Sequence, residues 1–346
     1  MKKIIDSLYE TNQSSKEELA YIINNISGED FQYLQERAYE TKEKHYSNTV
    51  FMRGLIEFTN YCKRDCSYCG IRRSNKDADR YRLSVDQILE CCKTGYELGF
   101  STFVLQGGED PYFTDEIICE IISKIKELYP DCAVTLSIGE KSKESYQKYY
   151  DAGADRFLLR HETANHDLYD SIHPEMTLNS RIECLNSLKD IGYQVGAGFM
   201  VGIPGQTTEN LVEDLLFLKD LEPHMIGIGP FIPHKKTPLG KYEGGTVEKT
   251  LIMLCLTRLL LPKVLLPSTT ALGTLDSLGR EKALKSGANV VMPNLSPTDQ
   301  REKYELYENK ICTGDEAAHC RVCIEARINS TGNVVDMSRG DHVDYL

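Results

Sequence analysis

Short apolar runs of four to seven residues alternate with longer amphipathic stretches along most of the chain. The runs read as strands at Met52–Phe58, Thr102–Gln106, Ala133–Ser137, Arg156–Arg160, Gln194–Met200, Met225–Gly229, Val264–Pro267 and Asn289–Met292. Between them, helical spacing of apolar residues covers 84–98, 114–128, 142–152, 179–191, 207–220, 247–260 and 279–286, and several of these stretches open on a capping Ser, Thr or Asn. Eight strand-like runs joined by seven helices predict parallel strands with crossover connections. The expected fold is α/β, a complete or near-complete (β/α)8 TIM-type barrel over 51–300 rather than an open doubly wound sheet. Residues 1–50 carry helical spacing too (Leu19, Ile22, Ile23, Ile26; then Phe31, Leu34, Ala38), with Ser14 or Ser15 as a cap, and predict a helical lid. The alternation stops near residue 300, leaving 301–346 as a C-terminal extension.

Composition narrows the class. With 41% hydrophobic and 27% charged residues in 346, the chain has material for a large core and no disorder signature. Its net charge of −12 argues against nucleic acid or an anionic membrane as partner. Asp6 and Glu10 interrupt any signal-peptide core, and Arg258 breaks the longest apolar stretch, Leu251 to Leu261, so a cytoplasmic location is expected. Twelve cysteines are too dilute for a disulfide scaffold, so their spacing decides their role.

Cys62, Cys66 and Cys69 stand in C-x3-C-x2-C spacing in the loop after the first strand. A structural zinc site is closed by four ligands and no fourth Cys or His is near, although a distant one could complete it. A 4Fe-4S cluster held by three thiolates instead leaves one iron open to an exogenous ligand. A second group, Cys312, Cys320 and Cys323 in C-x7-C-x2-C spacing, can bind a further iron–sulfur cluster or, with His319, zinc. Cys91, Cys92, Cys119, Cys132, Cys184 and Cys255 lie in strand or helix patterns and read as small buried hydrophobes.

Carboxyl ends of barrel strands face the active site, so the residues just past each run are the candidates for chemistry. These are Gln106-Gly107-Gly108-Glu109 after the second run and Arg160 with Glu162, on one side of the strand, after the fourth. Arg181 opens the next helix as a second carboxylate binder. The glycine-rich Gly198–Thr207 stretch, with Met200, is no phosphate loop, because it lacks a subsequent Gly-Lys-Ser/Thr. Thr269 and Thr270 offer neutral donors for a small anion, and Tyr304 and Tyr307, three apart, share a face if helical.

The cysteine loop with its aromatic Tyr68 resembles the radical S-adenosylmethionine (SAM) superfamily. Within it, the chain resembles the HydE family of FeFe-hydrogenase maturases from about residue 5 to 330, and more distantly biotin synthase and methylornithine synthase. The motifs that carry this are Gly70-Ile71-Arg72-Arg73 after the cysteines, Leu105 to Tyr112, Leu159 to Asn165, Gly229 to His234, Met292-Pro293-Asn294 and the C-terminal cysteines. Gly107 departs from family members with Ser there. The resemblance implies a 4Fe-4S cluster on Cys62, Cys66 and Cys69, and SAM contacts from Tyr68, Gly70, Gly107, Gly108, Glu109, Ser137, Arg160, Glu162, Arg181 and Met200. It also implies a substrate cavity lined by Gln106, Arg160, Thr269, Thr270, Tyr304 and Tyr307, and a second cluster, 2Fe-2S or 4Fe-4S, on Cys312, Cys320 and Cys323. The implied reaction directs a 5′-deoxyadenosyl radical at the sulfur of a small iron complex carrying cysteine, carbon monoxide and cyanide. HydG-like and HydF-like maturation proteins and a flavodoxin or ferredoxin reductant would be partners. Alternatives are a methylornithine-synthase-like mutase, a biotin-synthase-like sulfur inserter, or a non-enzymatic iron–sulfur scaffold.

Overall fold

The computed structural model describes residues 1–314 and 316–345. Its strands are parallel, as apolar runs that bury both faces require. The first is nearly continuous, β1 (Thr49–Met52) and β2 (Gly54–Thr59) flanking Arg53. β3 (Thr102–Gly107), β4 (Ala133–Ser137) and β5 (Arg156–Leu158) come next. β6 (Gln194–Ala197) and β7 (Met200–Val201) share the fifth run, and β8 (Met225–Ile226) and β9 (Gly229–Pro230) the sixth. β10 (Val290–Val291) and β11 (Val334–Asp336) complete the set.

Ladders join β2-β3-β4-β5-β6-β8, β7-β9 and β10-β1-β11. The run at Val264–Pro267 forms no ladder. Single parallel bridges Met225–Leu265, Pro267–Val290 and Leu55–Asn294 link it and β10 into the ring, so the barrel arrangement stands without a continuously paired sheet. Prolines explain the weakness: Pro267 and Pro293 have no N–H to give a ladder. Crossover helices surround the ring, from Val85–Glu97 to Val247–Leu260, and capping boxes at Ser15, Ser84 and Thr207 start three of the helices. Ser15, not Ser14, is the N-terminal cap, accepting from Glu18 N at 3.1 Å. No described helix is long and apolar enough to cross a membrane.

The N-terminal helices Lys2–Thr11, Lys16–Asn25 and Gly28–Tyr46 do not form the expected lid. They lie against the outside of the barrel, packed on Thr208–Leu221 and Val247–Leu260, and none of residues 1–50 lines the cavity at the barrel mouth. The reason is in the helix they cover: every residue from Thr250 to Leu260 is buried, so its outer face needs an apolar partner. Leu8, Leu19 and Ile22, all fully buried, belong to that cover. The mouth is instead crossed by a strap at 302–314, which holds no helix or strand.

The C-terminal tail closes the opposite end. Asp341 is ion-paired to Arg156 at the start of β5 and to Arg339 at 2.9 Å, and accepts from Gln194 Nε2 at 2.7 Å. Burial would raise its pKa, but the Arg156 charge and these bonds outweigh burial and hold it down at about 2. A carboxyl depressed on folding contributes stability that is present above its ordinary value near 4 and lost as pH falls toward 2. Asp341→Asn is therefore expected to lower unfolding free energy at pH 7 by about 2 kcal/mol and to flatten the acid limb of a stability–pH curve, read by urea titration.

Candidate active site

The cysteine loop is shaped by its own polar residues. Asn60 Nδ2 donates to Asp79 O at 2.8 Å and Lys303 O at 2.7 Å, while its Oδ1 accepts from Tyr81 N at 2.8 Å. The Arg80 guanidinium donates to the carbonyls of Asn60, Ile71, Arg72 and Asn75, and Asp65 accepts from Arg72 Nε and Ser74 Oγ, both at 2.7 Å. Neighbouring elements then fix the loop's height over the barrel. Lys63 N donates to Glu109 O at 2.9 Å, Ser67 N to Ile172 O at 2.8 Å and Gly70 N to Leu306 O at 2.8 Å. Gly108 lets the β3 turn reach the loop, because a Cβ there would overlap Tyr61 O and stand 2.8 Å from Cys62 Cβ.

As a result Cys62, Cys66 and Cys69 line one cavity of about 300 Å³ at the mouth. Burial pushes the Cys66 thiol up to about 12 and the other two upward as well. Bound iron reverses that balance, since a coordinating thiol is deprotonated by the metal charge. No other Cys and no His lies among the lining residues. Among the described residues, no three ligand-type side chains converge closely enough to hold a single ion. This donor set fits a multi-iron cluster with one open iron better than a closed zinc site.

Charged groups surround the thiols in two sets. Glu109 accepts from Arg64 Nε at 2.7 Å and from Glu140 N at 3.1 Å. Arg64 also reaches Glu140 at 3.1 Å, and Glu140 is paired with Arg181 at 2.7 Å. Across the cavity Arg160 pairs with Glu162 at 3.0 Å and donates to Phe199 O at 2.8 Å. Glu162 holds a left-handed backbone, φ 65°, and burial lifts its carboxyl above the usual range despite the Arg160 and Arg181 charges. A left-handed backbone and a buried carboxyl thus coincide at this one position. Arg160 Nε and Thr269 Oγ1 are buried with no hydrogen-bond partner.

Gln106, Gly107, Ser137, Met200 and Tyr68 complete the wall, and Tyr68 is hydrogen-bonded to buried His173 Nε2 at 3.1 Å. Tyr304 and Tyr307 reach the cavity from the irregular strap, not from a helix. Two expected residues lie elsewhere. Gly70 sits behind the loop, where a Cβ would overlap Glu305 O of the strap and stand 2.7 Å from His234 Cδ2, so the bare glycine lets the strap approach. Thr270, first residue of helix Thr270–Leu275, faces Arg280 at 3.4 Å and a small neighbouring void rather than the mouth. Cys312 and Cys320 line that same void, apart from the first three thiols, and Cys323 is exposed one helical turn beyond Cys320. Arg64 and Glu140 escaped the sequence reading; the signal for Glu140 was its place just after β4, beside Ser137.

A parallel barrel whose first strand runs into a three-cysteine loop at the mouth defines the radical SAM enzymes, and the model of the Radical SAM superfamily matches residues 56–218. The chain is 47% identical over 293 residues to the [FeFe] hydrogenase maturase subunit HydE of Thermotoga maritima, covering 85% of this chain and 84% of that protein. It belongs to the HydE family, and that membership implies a 4Fe-4S cluster and SAM. Identity to the 3-methylornithine synthase of Methanosarcina acetivorans is 28% over 298 residues, 86% of this chain and 83% of that one. The crystal structure of the methylornithine synthase PylB superposes with a TM-score of 0.86 at 26% identity, over 96% of this chain and 97% of its own.

Proposed function

We propose that this protein is a radical SAM enzyme of FeFe-hydrogenase active-site maturation, acting on a small iron complex that carries cysteine, carbon monoxide and cyanide. The observation that carries the reading is the open three-thiol loop over a cavity lined by Arg64, Arg160 and Arg181 in a chain 47% identical to a HydE maturase. When bound, the cluster on Cys62, Cys66 and Cys69 and its SAM supply a 5′-deoxyadenosyl radical for attack on the cysteine-derived sulfur of that complex. The chain's own residues bind and orient. The Gly107-Gly108-Glu109 turn presents backbone acceptors to an amine, with Glu109 held by Arg64. Arg181 and Ser137 meet a carboxylate, Glu162 a ribose diol and Met200 an adenine face. Gln106, Arg160, Thr269 and the two strap tyrosines form the anion-friendly end of the cavity. The buried wall excludes water from a reactive carbon radical.

Cys312, Cys320 and Cys323 are assigned to a second iron–sulfur centre, supported by the contact between the Cys312 and Cys320 thiols and by Cys323 one turn along the helix. HydG-like and HydF-like proteins and a flavodoxin or ferredoxin are the proposed partners. The test is anaerobic reconstitution with iron and sulfide, reduction, and assay of 5′-deoxyadenosine with and without the product of a HydG reaction. Stimulated cleavage with adenosyl adducts on sulfur is expected. SAM cleavage indifferent to the iron complex would move the assignment to the mutase or sulfur-insertion alternatives.

A further inference from the structure

Glu57 is an inward residue of β2, buried beneath the mouth. One of its carboxylate oxygens accepts from Asn294 Nδ2 at 2.7 Å and the other from Lys310 Nζ at 2.6 Å. The same ammonium donates to Tyr304 O at 3.0 Å. Lys310 thus ties the barrel interior to the far end of the strap and folds the strap back on itself. Both side chains are withdrawn from solvent, Lys310 to 10% exposure and Glu57 to 2%. A buried pair of this kind is a poor source of net stability, because desolvation offsets the attraction, and its best-attested use is to specify register.

Register is what the strap requires. Among the described residues its backbone ties to the barrel are Leu306 O accepting from Gly70 N at 2.8 Å, Lys303 O from Asn60 Nδ2 at 2.7 Å and Glu308 N donating to Pro233 O at 3.3 Å. Its other ion pairs, Lys303 to Asp79, Glu305 to His234 and Glu308 to Lys235, each include an exposed partner, Asp79, Glu305 and Lys235 respectively. Yet it supplies Tyr304, Leu306 and Tyr307 to the cavity wall. The N-terminal helices, on the barrel flank, give no cover there.

We infer that the Glu57–Lys310 pair is a positioning latch that holds the strap across the mouth, setting the tyrosine wall and closing the reacting cavity to solvent. The closure of a radical-bearing cavity rests on the proposed function; the latch itself does not.

The experiment uses the full chain, reconstituted anaerobically, as wild type, Lys310→Met, Lys310→Arg and the double variant Glu57→Gln/Lys310→Met. Hydrogen exchange read by mass spectrometry is expected to quicken about tenfold or more over 302–312 and at Gly70 in Lys310→Met, and to stay unchanged over β3 to β5. Substrate-free 5′-deoxyadenosine formation should rise several-fold with the SAM KM unaltered, and Lys310→Arg should restore both. The double variant carries no unpaired buried charge, so it covers the case in which Lys310→Met unfolds; its strap should also exchange fast. Wild-type exchange over 302–312 in the double variant would overturn the latch, showing that packing alone seats the strap. Absence of SAM cleavage in the wild type would sink the proposed function, and the exchange result would still decide the latch.

Discussion

Cys66→Ser is expected to abolish SAM cleavage while the barrel stays folded. Three thiolates are the smallest protein set that holds the cluster and leaves one iron open, and a serine hydroxyl is a poor substitute for a soft thiolate ligand. Formation of 5′-deoxyadenosine should fall at least about a thousandfold, the loss expected when about 4 kcal/mol of barrier lowering is withdrawn. Visible absorbance of the reconstituted cluster should fall with it. Folding should hardly respond. Cys66 packs against a small cluster of Tyr169, Met176 and Leu178, outside the main core, so the exchange of sulfur for oxygen is worth about 1 kcal/mol. Intact turnover with an unchanged melting curve would remove the cysteine loop from the chemistry.

Gly108→Ala should do smaller but still large damage by a steric route. Its Cβ would collide with Tyr61 O and with Cys62 Cβ at 2.8 Å, and neither atom is the end of a flexible side chain. The loop must lift, which breaks the Lys63 N to Glu109 O bond of 2.9 Å that sets its register. Overpacking of this kind costs about 1–3 kcal/mol, enough for a loss of roughly ten- to a hundredfold in cluster retention or SAM affinity. Gly107→Ala is the comparison within the same turn, because its Cβ would press on β2, Thr59 Cγ2 at 2.8 Å and Phe58 Cζ at 3.2 Å, rather than on the cysteine loop. Iron per chain after reconstitution and a SAM titration compare the two. Equal iron content and affinity in both variants would show that the turn does not set the loop.

The site was legible where its parts are close in sequence. Cys62, Cys66 and Cys69 lie within eight residues, and Gln106 to Glu109 stand directly at a strand end, so spacing and strand ends sufficed to find them. The Arg64–Glu109 and Glu140–Arg181 contacts join residues 45 and 41 apart, and no local pattern announces which partners meet. Thr269 and Thr270 look equivalent along the chain. They part because Thr269 is the last extended residue before a helix that Thr270 begins, which leaves the first hydroxyl at the cavity and turns the second to Arg280.

By itself the sequence determined the parallel α/β architecture, the order of its strands and the open three-thiol loop, because hydrophobic period, helix caps and ligand spacing are all local properties. Only the tertiary structure decided what covers the mouth. The N-terminal helices had an amphipathic pattern fit for a lid, but the all-round apolar helix Val247–Leu260 claimed it. The strap at 302–314, without any periodic signal, took that place through an ion pair between residues 253 apart. Which apolar face meets which, and where a buried charge finds its counter-charge, depends on long-range packing that no window of sequence contains.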